Sequence, residues 1–211
     1  GTVNYIYSLD DVPIDEGKWL VLARYNDKLN RLKPFLKERG IYFEYKDRKS
    51  YKVTLFRTIL NYIRWQKGDE LSLPEVKDIF EYTNTDTELT EEKMYNLEEF
   101  GFDKNIPWYD EFTSDYEECL YIREMLSNGE ELRKNPRVKL STIHSAKGGE
   151  ADNVLLILDN TKTIREASQK SIDKADEEHR VWYVGVTRTK QNLYIMAAKK
   201  EDQGYDIESL G

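Results

Sequence analysis

Two stretches of this 211-residue chain carry side chains whose types and spacing suit chemistry on phosphorylated ligands. The first reads Thr142-Ile-His144-Ser-Ala-Lys147-Gly148-Gly149-Glu150. It lies between two predicted strands. Ligands of open parallel sheets gather at the carboxyl ends of strands. A strand ending in Thr142 and His144 and turning through Lys147, Gly148 and Glu150 is expected to place polar groups at that edge. Glycines there let the backbone turn tightly or approach a ligand closely, and the Glu150 carboxylate suits ribose hydroxyls. A polar loop of no special role explains the composition equally well, and a lone histidine such as His144 more often sits in a surface or core position.

The second stretch reads Glu177-Glu178-His179-Arg180-Val181-Trp182-Tyr183-Val184-Gly185-Val186-Thr187-Arg188. A helix places Val181, Val184 and Arg188 on neighbouring turns of one face, with Arg188 just beyond an apolar stripe. A guanidinium held there can be aimed at a phosphate, because it is always charged and binds oxyanions through a planar fork. Stabilising charge in phosphoryl transfer is the arginine-finger role. For Glu177 and Glu178 a solvated helix face with local ion pairs is the expected reading.

The elements that must position these groups alternate. Residues 19–23 are a short apolar run that reads as a buried strand. A helix is predicted over 26–39, capped by Asn26, stopped at Gly40, with Leu29, Leu32, Phe35 and Leu36 on one face. A strand at 41–45 and a helix at 53–65 follow. The order predicts an α/β fold with a parallel sheet flanked by helices. Residues 69–135 break the rhythm and read as a small, mainly helical insertion, with Pro74 at a helix start. The rhythm returns with strands at 137–143 and 153–158, a helix at 174–186 and a strand at 192–198. The main domain is thus expected to be discontinuous, 1–68 with 136–211.

Charge divides along the same lines. The chain carries −8 overall. Residues 71–135 hold 18 acidic against 6 basic side chains, −12, and the remainder is +4. The acid is concentrated in the insertion, which should be repelled by a DNA backbone and is expected to be a protein-docking or autoregulatory element, while the flanks can still meet phosphate. One cysteine, Cys119, excludes an internal disulfide framework and a cysteine-based zinc cluster, so a reducing, cytoplasmic setting is expected. No apolar run approaches the roughly 20 residues that span a bilayer. The start at Gly1 suits a processed or excised piece.

Together the two motifs resemble those of UvrD/Rep-type superfamily 1 DNA helicases, T-x-H-x-x-K-G-x-E followed by E-E-R-R-x-x-Y-V-x-x-T-R. Val21-Leu-Ala23-Arg24-Tyr25-Asn26 is similar to an earlier motif of that family, and the resemblance covers about 18–66 and 136–198. It implies the second RecA-like motor domain, with a reduced accessory subdomain at 69–135, in a protein of DNA repair or replication. By that resemblance Arg188 is the arginine finger and Arg24 a second γ-phosphate contact. Glu150 meets the nucleotide ribose, with Gly148 in the same nucleotide-binding turn. Thr142, His144 and, less directly, Lys147 face single-stranded DNA. Arg180 belongs to the network holding the final motif in place at the nucleotide site.

The chain departs from the pattern. Ala23 stands where a Tyr usually stacks on adenine, His179 replaces the first Arg of the usual pair, and Gly149 and Ala151 replace Leu and Phe. No G-x-x-x-x-G-K-[ST] loop occurs, so nothing cradles the β- and γ-phosphates. The resemblance therefore implies that ATP and Mg2+ bind in the parent protein, between this domain and a first RecA-like domain. The fragment by itself is expected to hold neither and to be inactive. A subunit of a helicase–nuclease and a non-enzymatic adaptor are the alternatives.

Overall fold

The computed structural model describes residues 1–83, 85–146, 149–198 and 204–207. In chain order these form β1 (Thr2–Ile6), β2 (Trp19–Ala23), α1 (Asn26–Glu38), β3 (Phe43–Tyr45), β4 (Arg48–Lys49), α2 (Val53–Gln66), β5 (Leu71–Ser72), α3 (Leu73–Phe80), β6 (Met94–Tyr95), α4 (Trp108–Glu111), α5 (Tyr116–Ser127), β7 (Val138–Thr142), β8 (Ala151–Ile157), α6 (Lys162–Lys170), α7 (Ile172–Val186) and β9 (Thr189–Met196). They divide into two compact units, residues 1–50 with 131–211 and residues 51–130. Helix α2, which the order of elements assigns to the first domain, belongs to the second unit.

The first unit is built on a seven-stranded sheet of order β1-β9-β8-β2-β7-β3-β4. Its pairings are parallel except for the β3–β4 hairpin. This is the α/β arrangement that alternating strands and helices predict, and it is consistent with the RecA-like domain that the resemblance implies. All five residues of β2 are buried, because it lies mid-sheet with both faces covered. Trp19, Val21 and Ala23 enter the core on one face, with Leu29, Leu32 and Leu36 of α1. Leu20 and Leu22 enter the core on the other, with Trp182 of α7. Period-two alternation thus feeds both layers from one strand.

Local chemistry sets the ends of these elements. Helix α1 begins at Asn26, but Tyr25 is its N-cap, and the Asn26 side chain accepts instead from the Tyr45 hydroxyl at 2.9 Å. Gly40, at φ +59°, follows Arg39 at the helix end, as the sequence predicts. The β3–β4 hairpin turns on Lys46 and Asp47, both left-handed. That is the geometry of a two-residue turn matched to strand twist. Strand β9 starts at Thr189, earlier than its apolar residues suggest, and β1 and α6 add to the predicted set.

The second unit is mainly helical, with a two-stranded β5–β6 sheet. Its core is aromatic. Tyr62 stands edge-on to Phe102 and Phe112, and the Trp65 ring contacts Phe100 and Phe102 while its Nε1 donates to the Tyr95 carbonyl at 2.9 Å. Aromatic burial on this scale allows a strongly acidic segment to fold.

Candidate functional site

The parallel strands of the first unit run the same way, so the sheet has two chemically distinct edges. At the carboxyl edge, β2 ends at Ala23 beside Thr142 of β7 and Ile157 of β8, and Ile157 in turn pairs with Met196 of β9. The residues that follow those ends are Arg24, His144, Asp159 and Asn160, and they converge.

Arg24 is the hub. Its Nε donates to both carboxylate oxygens of Glu178, at 2.9 and 3.1 Å, and its Nη2 donates to Oε2 at 3.0 Å. Its Nη1 lies 3.2 Å from His144 Nδ1. An arginine has no acceptor, so that contact makes Nδ1 the acceptor and leaves the imidazole proton on Nε2. Glu178 is buried, and it also accepts from Asn160 Nδ2 at 3.1 Å and from Trp182 Nε1 at 2.9 Å. A buried carboxylate is tolerable only with such saturation. Sequence reasoning made Glu178 a solvated residue; the structure corrects that, while Glu177 does face solvent and pairs with Lys174 at 2.6 Å. Next along the edge, Lys28 pairs with buried Asp159 at 2.5 Å.

Thr142 closes the end of β7. Its Oγ1 donates to Ser145 Oγ at 2.9 Å, and the Ser145 and Ala146 amides return to its carbonyl, making a tight turn that presents His144 outward. Lys147 and Gly148 lie outside the described residues. Arg180 shares a cavity of about 430 Å³ with Arg24 and His144.

Glu150 and Arg188 are elsewhere. The segment after Thr142 does not stay at the carboxyl edge: it reaches the start of β8, where the Ala151 amide donates to the Arg188 carbonyl at 3.1 Å. Glu150 and Arg188 are thereby neighbours at the amino edge. At a rise of about 3.3 Å per residue, the length of β9 separates this pair from Arg24 and His144 by roughly 20 Å. Two expectations are corrected by this geometry. Glu150 does not share an edge with Thr142 and His144, and Arg24 is not brought to Arg188. Arg188 lies beyond α7, and its Nε donates to the Val184 carbonyl at 3.1 Å while Nη2 donates to Thr187 Oγ1 at 3.3 Å. A guanidinium on the last carbonyls of a helix is well placed against the negative end of its dipole. Glu150 is half-exposed, with Lys190 Nζ at 3.7 Å, so its carboxylate is accessible to hydroxyl donors.

His179 packs away from this cluster. Its Nδ1 lies 2.6 Å from the Tyr205 hydroxyl, and Tyr205 stacks on Trp182 with ring centroids 4.8 Å apart. The Arg-to-His departure therefore falls where the side chain supports α7. Sequence reasoning missed Asp159, Asn160 and Trp182 as site supports. The signal was an unbroken apolar strand ending abruptly in Asp-Asn, at the edge where parallel sheets place function.

Comparison with known proteins agrees with these motifs. Residues 66–200, well over half of the chain, match the model of the UvrD-like helicase C-terminal domain. The chain is 32% identical over 82 residues to the ATP-dependent DNA helicase Rep of Escherichia coli (strain K12), covering 39% of this chain and 12% of that protein. It is 36% identical over 76 residues to the probable DNA helicase II homolog of Rickettsia conorii, covering 33% of this chain and 11% of that protein. The matched segment is thus a small part of these relatives' length. Among the described residues no helix is long and apolar enough to cross a membrane. With its mostly parallel α/β sheet, its two motifs and this match, the chain belongs to the UvrD-like helicase C-terminal domain family.

Proposed function

We propose that this chain is the second motor domain of an ATP-dependent DNA helicase or translocase, and that its two sheet edges divide the work. The amino edge, with Glu150 and Arg188, faces the nucleotide. The carboxyl edge, with Thr142, His144 and Arg24, faces single-stranded DNA. The observation that carries this reading is the Ala151–Arg188 backbone bond, which sets a ribose-competent carboxylate beside a phosphate-competent guanidinium although they are far apart in sequence.

The residues fit ATP chemistry only in part. Glu150 can accept from ribose hydroxyls, and Arg188 can turn Nη1 and Nη2 toward a phosphate while Nε stays on Val184. Neither supplies a phosphate cradle or a magnesium ligand set; those belong to a first RecA-like domain closing on this one. Closure would bring Arg188 to the developing charge of phosphoryl transfer. Helix α7 runs from Glu178, which holds Arg24, to Arg188, so one rigid element reaches from the strand-facing edge to the nucleotide edge. That continuity suits a domain in which nucleotide state and DNA grip change together. Arg24 is accordingly assigned to the DNA edge. The acidic second unit, repelled by phosphate, suits a protein partner.

In the parent protein, Arg188→Ala should cut ATP turnover by roughly 10³-fold while nucleotide and DNA binding persist. The 211-residue chain alone should show no magnesium-dependent turnover. Near-normal hydrolysis by the Arg188→Ala protein removes Arg188 from the finger role.

A further inference from the structure

The cavity between α6, α7 and the ends of β2 and β7 is lined by Arg24, His144, Ser168, Lys174, Arg180 and the two glutamates of α7, among others. Its acids are already engaged. Glu178 is saturated by Arg24, Asn160 and Trp182, and Glu177 is bound to Lys174. Arg180 is different: it is exposed, and its charge helps hold the Glu177 pKa down from a distance, without a hydrogen bond or close ion pair among the described residues. In a chain of net charge −8, this cavity holds one more formal positive charge than negative, and the Arg180 guanidinium keeps its hydrogen-bond donors open. The larger cavity beside it, about 630 Å³, has no such surplus, because Lys28 is spent on Asp159 and Arg31 on Asp27.

We infer that this cavity is a phosphate subsite: Arg180 takes a backbone phosphate of the single strand, with Arg24 fixed behind it by Glu178 and His144 beside it. A planar guanidinium with open donors is the group suited to bidentate oxyanion binding. The volume, about 430 Å³, is in the range that holds a small ligand, here one phosphate with its sugar. A phosphate of the nucleotide is the other source of the same chemistry. The nucleotide reading belongs to the opposite edge, roughly 20 Å away along β9, so the strand is the source the geometry favours. The inference rests on assigning the carboxyl edge to DNA.

The test uses the 211-residue chain and a short fluorescein-labelled oligothymidylate, titrated by anisotropy across a salt series. Arg180→Gln should weaken binding about tenfold and reduce the slope of log K against log salt by about 1, and Arg180→Lys should restore the slope. Binding of a fluorescent ATP analogue to the parent protein should not change. His144→Ala reports on the edge itself. If His144→Ala weakens oligonucleotide binding and Arg180→Gln does not, the subsite is wrong and the edge assignment stands. If neither weakens it, or the unaltered chain fails to bind at low salt, both fall. If Arg180→Gln alters only the ATP analogue, the phosphate seated there is the nucleotide's and the inference is overturned.

Discussion

The Glu178 carboxylate takes the Arg24 guanidinium side-on, accepting from Nε and Nη2 at 2.9–3.1 Å across 154 residues of sequence. The pair fastens α7 to the end of β2, and it is enclosed, with side-chain exposures of 19% and 7%. Removing one member of such a pair leaves an uncompensated charge in a poorly solvated place. Glu178→Ala should therefore lower stability by about 3 kcal/mol. Glu178→Gln keeps one acceptor oxygen, which can serve Arg24 Nε and Trp182, but sets an NH2 donor against Arg24 Nη2; it should cost less than alanine. Urea unfolding of the three proteins checks this; a loss of under about 0.5 kcal/mol in the alanine variant would show that the pair contributes little.

Trp182 has two tasks, filling the core beneath α7 and donating to Glu178. Trp182→Phe keeps most of the volume and removes the donor. The expected cost is about 1–3 kcal/mol, since Glu178 keeps its burial and loses a partner. In a double-mutant cycle, Trp182→Phe should add little once Glu178 is already Ala, because the bond it removes is then absent. Full additivity would show that the loss comes from packing alone.

What the sequence made legible follows from how local the physics is. Strand β2 and the 154–157 stretch of β8 are continuous apolar runs buried on both faces, and α1 carries Leu29, Leu32 and Leu36 on one stripe, so each announces itself within its own window. Helix α6 has no buried residue and hence no stripe to see. The placement of Glu150 failed because a connection between parallel strands is expected to stay near one edge until a helix returns it, whereas Glu150 directly precedes β8 at the opposite edge. The burial of Glu178 was illegible because it depends on Arg24, Asn160 and Trp182 converging from three elements. A Glu-Glu-His-Arg run carries no local mark of that.

Close packing gives α7 a steric limit. A Cβ at Gly185 would stand 3.1 Å from Leu156 Cδ1 and 3.5 Å from Ile143 Cδ1. Gly185→Ala sets a helix-propensity gain of about 1 kcal/mol against that crowding, so a small net change is expected. Gly185→Leu has no space and should force α7 off the sheet, costing about 1–3 kcal/mol or more. Because Arg188 follows directly on this helix, the leucine variant should also lower ATP turnover in the parent protein. Thermal unfolding and turnover measured together separate the outcomes: lost stability with unchanged turnover would mean that α7 does not position Arg188.

The two arginines assigned to opposite edges should fail differently. In the parent protein, Arg188→Ala should spare oligonucleotide affinity and lose turnover, whereas Arg24→Ala should weaken oligonucleotide binding and leave binding of a fluorescent ATP analogue unchanged. Arg24→Lys retains a charge without the fork and should fall between. If Arg24→Ala instead weakened ATP-analogue binding at full DNA affinity, the division of the sheet into two working edges would be wrong.

The second unit offers a pH-dependent test at its own helix start. Ser72 donates to the Glu75 carboxylate from its amide at 2.9 Å and from its hydroxyl at 2.7 Å, closing the first turn of α3. Burial raises the Glu75 pKa, but the Ser72 hydrogen bonds and the nearby Arg64 outweigh it, and the carboxyl is held below its ordinary value. A carboxyl depressed in the folded state adds stability that is fully present above its unfolded pKa and lost as pH falls through the folded one. Glu75→Ala should therefore cost about 1 kcal/mol at neutral pH, a typical capping contribution. The gap from the unaltered chain should narrow below about pH 4, where the carboxyl takes up a proton in the unfolded state first and then in the folded state. Chemical unfolding at neutral pH and near pH 3 measures both ends. A gap that stays constant between them would mean that the contribution comes from side-chain packing and not from the ionised carboxylate.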